Sequence, residues 1–404
     1  MMENVMTTAL IIGGGVAGPT SAIALRKAGI KSVVYEAYDR TADGIGANLV
    51  LAVNGYRALL ELGVDHLSAG FDIPRYRYHL GSGRVLAQVR NGRPLPDGTV
   101  ARAITRSDLY ASLRDEAIDQ GIQIEFGKRL VDTEVTADGV IAYFADGTEA
   151  RGDLLIGADG AHSVVRRVIN QGEVPMRFNH MVTTSGYAHG VDVPNEPGTE
   201  FMYLGKRSFF CYIPSDDGTI WWYAAPTWPD EPTSDDLAAI TPRQWRARLR
   251  EMFTDDNSAA VEIIDATEEI TPPRPIYDLP TVPVWRNERM VIIGDACHAV
   301  SPSGGQGVSM SVEDAVELGR CLRDIPDIPT ALERYERIRR ERVEKVVEFG
   351  SSSSRSIAVR GQVRRIARDV FLPIAFNQKA AEKDLENMSW LYDHRIDWDE
   401  PVTV

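Results

Sequence analysis

The chain has 404 residues, 25% of them charged, and carries a formal net charge of −14 with a pI near 5.1. That length accommodates two domains with separate cores, and the acidic balance argues against a nucleic-acid partner, which needs a basic face, and against an anionic membrane surface. The three cysteines, Cys211, Cys297 and Cys321, have neither C-x-x-C nor metal-ligand spacing. They predict a reducing, cytoplasmic setting and no metal. The opening MMENVMTT lacks a basic leader region, so neither a signal peptide nor a membrane span is expected.

The first predicted element is a short apolar strand, Ala9 to Ile12, followed by GGGVAG at Gly13 to Gly18 and a helix over Ser21 to Ala28. Gly13, Gly15 and Gly18 fit G-x-G-x-x-G, with Val16 and Ala17 between. The first glycine permits a tight turn, the second admits a pyrophosphate to the backbone, and the third lets helix and strand pack closely. Val33, Val34 and Tyr35 form the next strand, and Glu36 at its end suits a ribose hydroxyl. Strand, loop, helix, strand and acid in that order predict an adenine dinucleotide. Without an adjacent arginine the choice at this loop is FAD or NAD, not NADP.

Ala42 to Gly63 reads as a loop and then a helix, and residues 71 to 100 as a β excursion through RYRYHL and RVLAQVR. Ile104 to Gln120 is predicted helical, with Ser107 as its cap. A β region follows, alternating apolar and polar residues, with turns at Asp138-Gly139 and Asp146-Gly147 and a short buried strand, Leu154 to Ile156. Residues 175 to 284 are rich in aromatics and proline, with strand-like RSFFCYIP and TIWWYAAP. Helices are expected at Val308 to Leu322 and Pro329 to Phe349, then a serine stretch at Ser351 to Ser354 and a further helical tail.

A second glycine loop lies in VIIGDACHAVSPSGGQGVSMSVEDAVELG, Val291 to Gly319. It reads as a buried strand over Val291 to Ile293, a turn at Gly294-Asp295, a loop with Gly304, Gly305 and Gly307, and the start of a helix. An exposed helix N-terminus behind glycines suits a polar or anionic group. The two glycine loops, far apart in sequence, look like parts of one nucleotide-binding domain with a mostly β domain inserted between them. A cleft between such domains is where a ligand sits. The expected class is α/β (α+β overall): a Rossmann-like nucleotide-binding domain (7–74, 101–174 and 285–350), an inserted, mostly antiparallel β-sheet substrate domain (75–100 and 175–284), and C-terminal helices (351–404).

With these motifs the chain resembles the single-component flavoprotein monooxygenases, the family of p-hydroxybenzoate, salicylate and urate hydroxylases. The resemblance rests on GGGVAG with Glu36, on DLLIGADGAHSVVR from Asp153 to Arg166, and on GDACHAVSPSGGQG followed by EDA; Arg106 in ITRSDLYASL matches an R-x-x-L element. GANLVLAVNG, FGKRL and GKR point to the salicylate/urate branch. Val308 and Ser309 stand where many members carry asparagine.

The resemblance implies non-covalent FAD, NADPH or NADH as transient reductant, O2, and a flavin C4a-hydroperoxide that hydroxylates an aromatic or polycyclic small molecule. Implied cofactor contacts are Gly13, Gly15, Val16, Ala17, Gly18, Glu36, Ala37 and Leu130 in the nucleotide part. Arg106 is implied at the flavin or pyrophosphate, Asp159 with Gly160 in a joint structural and cofactor role, and Asp295 on the ribityl-pyrophosphate arm. Pro302 would wall the ring, with Gly305, Gln306, Gly307 and Val308 contacting it through their backbone. His298 is read as structural, and Glu313 and Asp314 as suiting the helix dipole. No catalytic side chain is assigned, since the cofactor carries the hard chemistry; Arg207 in GKR is a candidate substrate contact. Tyr187, Phe201, Phe209, Phe210, Tyr212, Trp221, Trp222 and Tyr223 are candidate pocket walls, of which strand alternation turns about half away. A flavoprotein oxidase or dehydrogenase, a non-catalytic flavin carrier, and an epoxidase or Baeyer–Villiger enzyme remain alternatives. There is no second dinucleotide fingerprint, since Gly81-Ser-Gly83 is not followed by a strand-helix unit.

Overall fold

The computed structural model describes residues 7–39, 48–65, 67, 69–357 and 362–403. Strand Thr8–Ile12 is the centre of a five-stranded parallel sheet, paired with Leu154–Gly157 on one side and Lys31–Tyr35 on the other. Met290–Ile292 adds beyond Leu154–Gly157, and Gln123–Glu125 beyond Lys31–Tyr35. The two glycine loops therefore leave the same edge of one sheet, two strands apart. Strands covered on both faces read as continuous apolar runs, which is why LLIG and TALII are almost wholly buried. Helix Ala17–Lys27 packs along the later helix Gly307–Asp324, which is flanked in turn by Val53–Glu61 and Ile328–Ile357.

A larger sheet runs in the order Thr267–Ile270, Arg177–Ala188, Ile220–Pro226, Ser208–Pro214, Thr199–Leu204, Arg75–Leu80, Val85–Arg90, with Arg274–Asp278 paired separately to Arg177–Ala188. All its pairings are antiparallel except Thr199–Leu204 with Arg75–Leu80, which brings the early β excursion beside the inserted one. Two three-stranded sheets complete the β structure. One is a meander of Leu130–Val135, Val140–Phe144 and Glu149–Gly152; the other joins Asn48–Leu51, Arg102–Thr105 and Phe71–Asp72.

Several expectations change. The Asn48–Leu51 strand precedes the helix Val53–Glu61, and the first part of the predicted Ala42 loop lies outside the described residues. Thr105 caps the helix Arg106–Asp119, its Oγ1 accepting from Asp108 N at 3.0 Å, in place of the predicted Ser107. Between residues 175 and 284 the helices Ser234–Ala238, Pro242–Phe253 and Ala260–Ala266 were missed. Trp245, Leu249 and Phe253 recur at helical spacing and bury against the sheet, but the surrounding aromatic strands mask that period.

The serine stretch does not end its helix, which runs unbroken as Ile328–Ile357. Two of those serines have tertiary partners: Ser354 bonds Ser301 at 2.6 Å and Ser351 accepts from Arg177 Nη2 at 2.9 Å. Beyond it, helix Gln378–Asn387 covers the sheet edge at Val85–Arg90, where Gln378 Nε2 donates to Gln88 O at 3.0 Å and Oε1 accepts from Gln88 N at 2.9 Å. That occupies backbone groups an edge strand would otherwise expose. The last residues return to the nucleotide domain, where Ile396, Trp398 and Val402 join its core.

Candidate active site

The first loop is fixed by backbone contact. Gly13 has φ +110°, and a Cβ there would lie 2.3 Å from Ala158 O; a Cβ on Gly18 would lie 1.9 Å from Gly13 O. No side chain fits at either position. Gly13 N donates to Tyr35 O and Ala158 N to Ile12 O, both at 2.8 Å, tying three strand ends together. Val16 and Ala17 are buried at the start of the helix. Glu36 lies over the loop: Oε2 accepts from Gly14 N at 2.6 Å and Oε1 from Tyr38 N at 2.9 Å. Lys128 N donates to Glu36 O at 2.8 Å, bringing the FGKRL segment beside Glu36 and the half-buried Ala37. Leu130 is packed into the core below.

Arg106 is exposed at the first position of its helix. One turn on, the Tyr110 ring stands 3.8 Å from where a Gly15 Cβ would be. Burial raises the Tyr110 phenol; Arg106 pulls it down, and Asp295 and Glu36 push it up further. One phenol thus senses a charge from its own helix and charges from two distant segments. Tyr110 was not predicted, although its i+4 spacing from Arg106 on a helix was a usable signal.

In the late loop Asp295 is exposed between buried Gly294 and Ala296, and its Oδ1 lies 3.9 Å from where a Gly307 Cβ would be. Pro302 and Gly305 are exposed, and Gly307 and Val308 half-buried. Gln306 is buried, its Oε1 accepting from Asn54 Nδ2 at 3.1 Å. Ser309, at the irregular position, is fully buried where helix Val53–Glu61 crosses: a Cβ on Gly55 would lie 2.6 Å from Ser309 Oγ. Small residues on both helices permit that crossing.

Asp159 acts as a helix cap. Its carboxylate accepts from Ser163 Oγ at 2.5 Å, Val164 N at 2.8 Å and Val165 N at 3.2 Å. Burial raises this carboxyl and those donors partly offset it. Arg166, also buried, donates to Ala161 O at 2.7 Å and Ala296 O at 3.0 Å, joining the middle motif to the residue after Asp295.

Behind the late loop is a buried ion cluster. Asp314 Oδ2 accepts from Gly294 N at 2.9 Å and bonds His298 Nε2, while Oδ1 accepts from Arg339 Nε at 2.8 Å. Glu313 accepts from Arg339 Nη1, Arg342 Nε and Nη2, and Asn54 Nδ2, each at 2.8 Å. Burial pushes both carboxyls up, but these partners overcome it and hold each at about 2. The dipole reading of Glu313 and Asp314 is therefore too weak; they clamp the loop to helix Ile328–Ile357. The structural reading of His298 agrees with its bond to Asp314. Arg339 and Arg342 carried no sequence signal, since charges at i,i+3 on a helix normally read as a solvated face.

The larger sheet splits its aromatics by alternation. Phe201, Phe210, Tyr212 and Trp222 pack beneath helices Pro242–Phe253 and Ala260–Ala266. Phe209 and Tyr223 lie on the opposite face, and Trp221 contacts both Tyr187 and Phe71. Arg207 stands apart from this constellation. It is exposed in the turn after Thr199–Leu204, donating from Nη2 to Asp255 Oδ2 at 2.6 Å and from Nη1 to Glu251 O at 3.2 Å. Those partners follow from the missed helix Pro242–Phe253, so a local GKR match did not reveal them. A separate cleft of about 580 Å³ between Val85–Arg90 and Gln378–Asn387 contains none of the predicted residues.

The FAD binding domain family matches residues 6–350. The FAD-dependent urate hydroxylase of Klebsiella pneumoniae subsp. pneumoniae is 31% identical over 346 residues, covering 84% of this chain and 87% of that protein. The 6-hydroxynicotinate 3-monooxygenase of Pseudomonas fluorescens is 28% identical, covering 78% of this chain and 82% of that protein. Among solved structures, Klebsiella pneumoniae HpxO complexed with FAD and uric acid has a TM-score of 0.84 at 26% identity, covering 96% of this chain and 97% of that one. A salicylate hydroxylase substrate complex shares the fold, with a TM-score of 0.77 at 22% identity over 97% of each chain. With three motifs meeting at one sheet edge and a family match over most of its length, the chain belongs to the single-component FAD-dependent monooxygenases.

Proposed function

We propose that this protein is a cytoplasmic, NAD(P)H-using FAD monooxygenase that hydroxylates an aromatic or polycyclic small molecule. The observation that carries the reading is a loop whose glycines exclude side chains, with Glu36 bonded to Gly14 N and the Tyr110 ring beside Gly15, at the same sheet edge as the late loop in which Asp295 lies beside Gly307. When bound, FAD supplies the redox chemistry by which NADH or NADPH and O2 deliver one oxygen to the ring and one to water.

The chain's own residues hold and shield. Glu36, already fixed by two backbone donors, keeps lone pairs for ribose hydroxyls. The bare backbone at Gly13, Gly15 and Gly18, with Val16 and Ala17 opening the helix, receives the pyrophosphate, and Ala37 and Leu130 complete the adenosine end. Arg106 and Asp295 bracket the arm between pyrophosphate and ring. Gly305, Gln306, Gly307 and Val308 offer backbone to the ring edge at a helix start, where partial positive charge favours an electron-rich ring, and Pro302 covers one side. Asp159 is assigned through its backbone alone, because its carboxylate is committed to the helix cap. Tyr187, Phe209, Trp221 and Tyr223 line the substrate side and exclude water. Arg207 is not retained as a substrate contact. The domain division is supported by separate hydrophobic cores in the two parts, and the compartment by three buried free cysteines.

The test is NAD(P)H oxidation by FAD-loaded protein over phenols, aromatic acids, purines and polyketides, with product analysed after turnover in ¹⁸O₂. Stimulated oxidation and one labelled oxygen in product are expected. Product formed without label sinks monooxygenation in favour of an oxidase or dehydrogenase.

A further inference from the structure

Glu200 is a carboxyl in an unusual place: 6% exposed, on strand Thr199–Leu204 in the interior of the larger sheet. It lies beside Tyr76 in the parallel register, and its carboxyl takes a hydrogen bond from the Cys211 thiol on the neighbouring strand. Cys211 in turn pairs in register with Tyr223. The phenols of Tyr76, Tyr78 and, from the C-terminal segment, Tyr392 complete the surroundings; Glu200 acts on Tyr76 and Tyr78, and Tyr392 acts on both. Burial raises the Glu200 carboxyl to about 7, with Cys211 pulling weakly the other way.

This is the face turned towards the candidate site. Ile213, two residues along from Cys211, packs with Ala103 and Val50, and the strand holding Ala103 runs directly into Arg106. Tyr76, Tyr78, Met202 and Tyr223 share this face and are half-buried. Among the described residues no cation offsets the carboxyl. The arginines of the adjoining strand, Arg75 and Arg77, alternate to the opposite face, where Arg75 bonds Pro197 O and Arg77 bonds Glu196 and Gln88. A buried acid without a countercharge costs free energy, so its retention on the face turned towards the candidate site points to use.

We propose that Glu200 is the acid–base residue of the substrate pocket, accepting a hydrogen bond and then a proton from the ring O–H or N–H of an uncharged aromatic substrate. This rests on the monooxygenase reading and names its substrate class. In the step the ring O–H or N–H bond breaks, the proton bonds a Glu200 carboxylate oxygen, and the electron pair stays on the ring heteroatom. That raises electron density at the carbons to be oxygenated; the proton returns to water when product leaves. The same carboxylate repels rings that carry their own carboxylate, since two desolvated like charges cannot be accommodated without a cation.

The experiment compares FAD-loaded wild type with Glu200→Gln and Glu200→Asp. One measurement is the infrared band of a protonated carboxyl followed through neutral pH, which needs no substrate. The other is binding and stimulated NAD(P)H oxidation with phenols, indoles and hydroxyquinolines against salicylate and 4-hydroxybenzoate. Wild type should show a band titrating near neutral pH and a preference of about tenfold or more for the uncharged rings. Glu200→Gln should lose the band and most of that preference, and Glu200→Asp should retain part of both. A missing band, a band that survives in Glu200→Gln, an unchanged preference, or failure of every uncharged ring to bind overturns the proposal. If uncharged rings bind with the expected preference and band but none stimulates NAD(P)H oxidation, the monooxygenase reading fails and the proton-transfer step falls with it, while Glu200 keeps only its role as the carboxyl that selects uncharged rings.

Discussion

Replacing Arg339 with Met tests whether the buried ion cluster holds the late loop in place. Arg339 is 1% exposed and bridges the two carboxylates, with Nε on Asp314 and Nη1 on Glu313, both at 2.8 Å. Burial alone would raise those carboxyls; their cationic partners instead lower Glu313 from 4.5 and Asp314 from 3.8 to about 2. At about 1.4 kcal/mol per unit, each depressed carboxyl contributes on the order of 2–3 kcal/mol. Because both values are depressed, that stability is present above about pH 4.5 and is lost as pH falls towards 2. After the substitution Glu313 keeps Arg342 and Asn54, and Asp314 keeps Gly294 N and His298. Removing one partner of a buried pair costs about 3–5 kcal/mol, and the remaining partners place this case at about 3.

The assay is urea unfolding at pH 7 and at pH 4, with flavin-to-protein absorbance as a second readout. Arg339→Met should lose about 3 kcal/mol at pH 7 and distinctly less at pH 4, where its carboxyls can protonate. It should also retain less FAD, because Asp314 anchors the turn that presents Asp295. A loss below about 1 kcal/mol, or one independent of pH, would refute the clamp.

Asp295→Ala should purify nearly colourless, yet with stability of the flavin-free protein within about 0.5 kcal/mol of wild type, since its side chain is exposed; full flavin occupancy rules out its assigned role. Gly18→Ala forces a Cβ to 1.9 Å from Gly13 O and should weaken FAD binding at least tenfold (about 1.4 kcal/mol), whereas Gly172→Ala, with nothing within 4 Å, should leave it unchanged. For Glu200 the folded value is raised from 4.5 to about 7, so its burial is neutral below pH 4.5 and destabilising as pH rises through 7. Glu200→Gln should match wild type in urea at pH 4 and exceed it by about 3 kcal/mol at pH 8; equal midpoints at both values would contradict this.

The parts legible in sequence were those specified by local physics. Gly13 and Gly18 stand where no Cβ fits, and Leu154 to Ile156 and the strand expected at Val291 to Ile293, observed one residue earlier as Met290–Ile292, are apolar because both faces of their sheet are covered. Alternation correctly divided the aromatics of the larger sheet, turning Phe201, Phe210, Tyr212 and Trp222 away from Phe209 and Tyr223. Such signals need only a strand period or a steric minimum. The helix Pro242–Phe253 escaped because two periods overlap in composition, and the serine run misled because its hydroxyls are satisfied by Ser301 and Arg177.

By itself, then, the sequence determined a dinucleotide loop, its acidic partner and a second loop of the same family at the far end of an inserted β region. Only the tertiary structure decided what surrounds them. Arg339 reads as a solvated helix charge until it is found buried between Glu313 and Asp314, Arg207 as a binding residue until it is found paired with Asp255, and Glu200 as a polar face of a strand until the sheet buries it beside Cys211. The reason is that charge and burial act through space: a carboxylate's worth depends on which distant segments come within a few ångströms, and sequence spacing carries no information about that.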